Sequence, residues 1–282
     1  MTRFADLGDH VAAAILHDEI GLAIGHFDGH VLRSAYQPIY RLQSGRLSVV
    51  GARALVRPSR DGRPALPSRF FERLRGEDRL TFECLCQTLH IANLPYVDLD
   101  TATLALRLDQ MPRDMLDAAL ALLRLATDEL EEEGYDPPRI WCEFPATPMA
   151  AEQAVAVRAH GFRVALCDFG PEPAGIAAAM AATPDYIRLD GTWFRTVARA
   201  PEARTLLARL TALLHAQGIE VLADGVETTP QFEAALDVGA DMYQGFLLAP
   251  PFLAGSAFTQ RPLRLPELLR PHGKVIPLRR PA

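Results

Sequence analysis

Arginines and acids recur in this chain at the ends of short apolar runs. They are Arg53 with Arg57, Arg107 with Asp109, Glu143, Cys167 with Asp168, Arg188 with Asp190, Asp224 with Glu227, and Gln244. One or two such residues would be ordinary loop boundaries. A polar group closing nearly every run would encircle a common mouth if the runs are strands of one closed sheet. Guanidiniums and carboxylates in such a ring can pair with each other or take ligands. Arginine's planar fork suits phosphate and carboxylate, and carboxylate oxygens suit hard divalent cations. Composition alone does not choose the ligand.

Other chemistry-bearing residues carry less. Cys84, Cys86, Cys142 and Cys167 are few and irregularly spaced. Cys84-x-Cys86 lacks the spacing of a zinc knuckle or redox pair, so free thiols packed in a reducing cytosol are expected. His26 and His30 stand four apart, but Asp28-Gly29 between them speaks for a turn rather than a metal site.

The elements that must position the ring follow from periodicity. Strands are expected at 36–40, 47–56, 104–108, 140–144, 164–169, 186–189, 220–223 and 242–246. Helices are expected at 68–93, 113–133, 148–160, 173–182, 202–217 and 230–238, several ending at a glycine such as Gly161, Gly218 or Gly239. This alternation predicts an α/β fold, a parallel sheet of about eight strands closed as a TIM-like (βα)8 barrel. A doubly wound sheet would want a glycine-rich phosphate loop after an early strand, and none is present. Residues 4–25 read as an amphipathic helix, with Val11, Ile15, Leu16, Ile20 and Leu22 on one face, packed on the barrel or on a partner. Residues 58–67 read as a turn-rich surface connection.

Six segments in order carry a resemblance. They are QPIY at Gln37–Tyr40, GARALVR at Gly51–Arg57, CDFG at Cys167–Gly170, DYIRLD at Asp185–Asp190, ADGVET at Ala223–Thr228 and YQGFLLAPP at Tyr243–Pro251. Each is weak alone. Together they resemble the EAL-domain family of cyclic di-GMP phosphodiesterases, which also has degenerate members that bind only the nucleotide or a protein. The resemblance implies an EAL-type barrel over residues 31–255, an N-terminal helical extension over 1–30, and a C-terminal helix and tail over 256–282 packed on the barrel or trailing it.

Active members, as the resemblance implies, hold two divalent ions that activate water for attack on phosphorus. Here the family's signature glutamate is Arg53 and the asparagine of the next matching strand is Arg107. The first aspartate of DDFG is Cys167, the water-orienting lysine is Arg188, the glutamate of EGVE is Asp224, and a later glutamate is Ala146. Gln37, Leu55, Arg57, Asp190, Glu227 and Gln244 remain as candidates for nucleotide contact, and Glu143 and Asp168 as residual acids. Pro171 and Pro173 stiffen the loop after DFG.

A catalytically silent receptor for cyclic di-GMP, or a protein-interaction adaptor, is therefore expected, without cofactor. The alternative is an active phosphodiesterase with an altered metal site, which would use Mg²⁺ or Mn²⁺. A protein partner and a homodimer are compatible with either reading. The net charge of −6 argues against a nucleic-acid-binding surface. No apolar run reaches the ~20 residues that cross a bilayer. A cytoplasmic location is expected.

Overall fold

Three two-residue turns organise the first quarter of the computed structural model, which describes residues 4, 6–67, 73–98, 103–132, 139–258 and 261–269. Asp28-Gly29, Ser44-Gly45 and Asp61-Gly62 all have positive φ at both positions. That geometry matches the twist of antiparallel strands and favours Asp, Asn or Gly. After helix α1 (Leu7–Ala13), the turns join strands β2 (Ala23–Phe27), β3 (His30–Gln43), β4 (Arg46–Arg60) and β5 (Arg63–Pro64), with β1 (Ile15–His17) paired to β2.

The expected N-terminal amphipathic helix is thus corrected. It stops at Ala13, and the rest is a hairpin. Asp18 accepts hydrogen bonds from the amides of Ile20 and Leu22 and turns the chain. Asn93 then takes both the N–H and the carbonyl of Ala23. Local capping by Asp18 and pairing to β3 outcompete a helix stripe of modest length. The connection at 58–67 turns at Asp61-Gly62 on the surface as expected, and half of it, 58–60 and 63–64, is also strand.

From β4 onward strands alternate with helices. These are α2 (Gly76–Ala92), β6 (Thr103–Arg107), α3 (Arg113–Glu132), β7 (Arg139–Pro145), α4 (Ala150–Ala159), β8 (Arg163–Phe169), α5 (Pro173–Ala182), β9 (Tyr186–Leu189), α6 (Gly191–Val197), α7 (Pro201–His215), β10 (Glu220–Ala223), α8 (Thr229–Asp237) and β11 (Met242–Tyr243). The start of the helix expected over 68–93 lies outside the described residues. The short α6 adds to the helices expected from periodicity.

Eight strands close a barrel in the order β3, β4, β6, β7, β8, β9, β10, β11. Seven run parallel. β3 is antiparallel to both of its neighbours, β4 and β11. This corrects the all-parallel expectation: a two-residue turn between β3 and β4 cannot hold the crossover that a parallel pair needs. The C-terminal part carries short strands besides a helix. β12 (Phe252–Leu253) pairs with β3, β13 (Leu263–Arg264) pairs with β4, and α9 (Leu265–Leu268) is one turn long. The tail from residue 270 lies outside the described residues.

Outward strand residues such as Leu106, Cys142, Leu166 and Ile187 pack with the helices into one large core. Inward residues form a separate floor of Ile39, Ala105, Trp141, Ala165, Tyr186, Leu222 and Met242. All four cysteines are free and buried.

Candidate functional site

Side chains alternate faces along a strand, so the residue two places beyond each floor residue also points into the barrel, one layer higher. Above Ala105, Trp141, Ala165, Tyr186, Leu222 and Met242 stand Arg107, Glu143, Cys167, Arg188, Asp224 and Gln244. On antiparallel β3 the layer above Ile39 is Gln37, which faces Arg53 in register. A hydrophobic floor therefore carries a polar layer at the catalytic end of a barrel of this type. On β8 the register slips between Leu166 and Phe169, and Asp168 adopts φ 53. The irregularity brings Asp168 into the same cluster as the inward Cys167, the re-aiming that bulges produce.

Arg188 is the hub. Its Nη1 donates to Asp224 Oδ2 at 2.8 Å, its Nη2 to Asp168 Oδ1 at 3.3 Å, and its Nε lies 3.3 Å from Glu143 Oε2. Arg53 Nε lies 3.0 Å from the same Glu143 oxygen, with its Nη1 3.9 Å from Asp224. Arg107 Nη2 is 3.0 Å from Asp168 Oδ2. The two contacts on Glu143 Oε2 are ion pairs without hydrogen-bond alignment. Its other oxygen accepts from Tyr186 Oη at 2.7 Å.

Burial and charge oppose each other here, and charge prevails for the acids. Burial would raise the Glu143 carboxyl, but Arg188, Arg53 and the Tyr186 hydroxyl hold it below the usual carboxylate range. Asp168 is held low against burial by Arg107 and Arg188. Arg188 keeps its charge despite burial because Glu143 and Asp224 surround it. Burial pushes the Cys167 thiol up to about 11, so it is protonated at neutral pH.

The candidate nucleotide contacts divide. Leu55 and Arg57 line a cleft of about 130 Å³ beside the mouth, together with Arg53, Gln87, His90 and Arg107. Arg57 donates to its own neighbour's carbonyl, Val56 O, and has no carboxylate partner among the described residues. Gln244 is fully buried and donates to the carbonyls of Gln37 and Pro38, fastening β11 to β3. Gln37 donates to Ala249 O. Asp190 caps α6 through the Trp193 amide, and Glu227 lies 3.7 Å from Arg195.

Several residues of the site escape a reading of strand ends. Tyr186 can be found by counting two back from Arg188. Gln87 and His90 sit on α2, remote in sequence from every strand end. Gln87 is buried, and neither of its amide atoms has a partner among the described residues. His90 is held neutral, its pKa lowered to about 3 by burial and by Arg57.

Comparison with known proteins agrees with this architecture. A family profile described as EAL domain matches residues 26–251. The cyclic di-GMP phosphodiesterase RocR of Pseudomonas aeruginosa is 26% identical over 245 residues, 82% of this chain and 59% of RocR. The cyclic di-GMP phosphodiesterase PdeL of Escherichia coli is 27% identical over 107 residues, 38% of this chain and 30% of PdeL. The chain therefore spans less than two thirds of these curated relatives. Among solved structures, Klebsiella pneumoniae BlrP1 in its calcium and cyclic di-GMP complex superposes with a TM-score of 0.65 at 25% identity, over 83% of this chain and 59% of BlrP1. The Xanthomonas citri FimX EAL domain, in complex with cyclic di-GMP, shares the fold with a TM-score of 0.65 at 20% identity, covering 82% of this chain and 91% of that one. With a matching profile across most of its length and a closed barrel of the same architecture, this chain belongs to the EAL-domain family.

Proposed function

We propose that the chain is a receptor for cyclic di-GMP that binds without metal and does not hydrolyse the nucleotide. The observation that carries the reading is the occupancy of the mouth acids by guanidiniums. Glu143 Oε2 already faces Arg53 and Arg188 at 3.0 and 3.3 Å. Asp168 is shared by Arg107 and Arg188, and Asp224 is bonded to Arg188.

The divalent ions that the family's chemistry implies do not fit this donor set. A doubly charged ion 4 Å from one guanidinium meets a repulsion on the order of 8 kcal/mol at an effective dielectric near 20. The arginines cannot relieve it by deprotonation. They supply the positive charge of the mouth without Lewis acidity. Arg57, without an acid partner among the described residues, and Leu55 line the adjoining cleft. A charged phosphate group and an apolar ring face would each find a complement there.

The test is equilibrium binding of labelled cyclic di-GMP in EDTA and in Mg²⁺, with product analysis. Equal affinity in both and no EDTA-sensitive pGpG is expected. Binding only with Mg²⁺, or turnover proportional to protein, overturns the reading. Absence of binding in both conditions favours a protein-binding scaffold. The internal pairing of the mouth charges is what supports that second reading.

A further inference from the structure

A chain of alternating charges leaves the barrel mouth and ends on an outer helix. It runs Asp224, Arg188, Asp168, Arg107, Asp109, Arg79 and Glu83. The first four belong to the site described above. The last two lie on α2, one turn apart. Glu83 is buried, and Arg79 Nε donates to its Oε1 at 2.6 Å. Burial raises the Glu83 carboxyl, and Arg79 counteracts it. The other Glu83 oxygen accepts from the Asp109 amide at 3.1 Å. Arg79 Nη2 is ion-paired with the Asp109 carboxylate, and Gln153 donates to the Asp109 carbonyl at 3.4 Å. Asp109 is thus held at its amide, carbonyl and carboxylate.

Arg107 depends on that anchor. It is 40% exposed, lines the cleft with Leu55 and Arg57, and is gripped from two sides. Asp168 holds Nη2 at 3.0 Å, and Asp109 lies 3.8 Å from Nε. A long side chain at a rim loses rotamer freedom when a ligand captures it. An anchored acid on its flank removes that cost in advance. Arg79 divides the Asp109 charge with Arg107. Without Arg79, the full charge of Asp109, itself in the cleft wall, would fall on Arg107 and compete with a bound anion for its guanidinium.

We infer that Arg79 is a positioning residue: through Asp109 it sets where the Arg107 guanidinium stands, and so how strongly the mouth captures a phosphate. The binding part of this inference rests on the receptor reading above. Arg79 itself does not line the cleft.

The experiment compares wild type, Arg79→Met, Arg79→Lys, Arg107→Met and the Arg79→Met/Arg107→Met double variant. Cyclic di-GMP affinity is measured in EDTA. The Arg107 Nε–H resonance is followed in ligand-free, ¹⁵N-arginine-labelled protein. Arg79→Met should weaken binding about tenfold when Arg107 is present and less than about twofold when it is Met, the non-additivity of residues acting through one another. Arg79→Lys keeps the charge but cannot fork between Glu83 and Asp109, and should cost about threefold. The Arg107 resonance should move in both Arg79 variants. Equal losses in the two backgrounds, or an unmoved resonance, overturn the inference. If Arg79→Met does not fold, Arg79→Lys decides by the same two criteria. If wild type does not bind the nucleotide, the receptor reading fails, and the Arg107 resonance alone decides whether Arg79 positions it.

Discussion

Glu143 is the residue on which the mouth turns. It is fully buried, accepts from Tyr186 and faces two guanidiniums. Glu143→Gln would leave Arg53 and Arg188 facing a neutral amide, and breaking a buried ion pair in this way costs about 3–5 kcal/mol. Urea denaturation measures that loss. The sign of the pH dependence follows from the lowered carboxyl pKa. A depressed folded-state pKa contributes stability that is complete above the unfolded value of about 4.3 and is lost as pH falls through the folded value. Wild type should therefore lose stability below about pH 4 more steeply than Glu143→Gln, which starts lower and lacks this component. Rescue is a second prediction at this scale. Arg53→Glu, Arg107→Asn and Cys167→Asp together rebuild much of the family's acid and amide set, but Arg188 would still stand 3.3 Å from Glu143. A Mg²⁺-dependent rise in melting temperature should appear only when Arg188→Lys is added, because a lysine can shed its proton beside an ion and cannot fork across three acids, whereas the guanidinium holds its proton and keeps Glu143, Asp168 and Asp224 occupied. A metal-dependent shift in the triple variant alone would contradict this.

At the scale of elements, the N-terminal hairpin hangs on one side chain. Asn93 satisfies the N–H and the carbonyl of Ala23 and also touches Ser34. Asn93→Ala leaves those buried groups unpaired, at about 1–3 kcal/mol each. Amide exchange at Ala23 should accelerate well beyond that of β8 and β9; uniform acceleration would show that the hairpin and barrel open together. This clamp explains why the region reads as helix from sequence. Val11, Ile15, Leu16, Ile20 and Leu22 fit a helical stripe, and β1 has only three residues. The deciding partner, Asn93, is seventy residues away. The barrel strands are legible because a floor residue and a polar residue two places on repeat from strand to strand. Tyr186 before Arg188 and Trp141 before Glu143 obey the same rule. Pairing Arg53 or Arg107 with Glu143 or Asp168 is also readable from charge balance. The central place of Arg188 is not, since only the ring's curvature brings β9 within reach of three acids. Neither is the contribution of α2, whose Arg79 and Glu83 carry no strand-end signature.

The whole molecule shares one lumen, so it should unfold as one unit. Trp141 lies in the floor, edge-on to Tyr186 with ring centroids 5.1 Å apart. In Trp193→Phe the only remaining tryptophan is Trp141. Its fluorescence and the far-ultraviolet circular dichroism should trace superimposable urea transitions, the mark of two-state unfolding. Separated midpoints would mean that the floor loosens before the outer helices do.

The antiparallel β3 has a consequence for how the chain is made. Its pairing with β4 forms at once, across two residues, but its other edge waits for β11, where Tyr40 meets Tyr243. About two hundred residues must leave the ribosome before that seam can shut. Until then β3 carries an open row of backbone donors and acceptors, the surface that recruits foreign strands. Seam closure is also the longest-range contact in the ring and is expected to set the pace of refolding. Nascent chains stalled before Met242 should accordingly be the species that chaperones bind and that aggregate, while chains released beyond Leu253, with β12 also seated on β3, should escape.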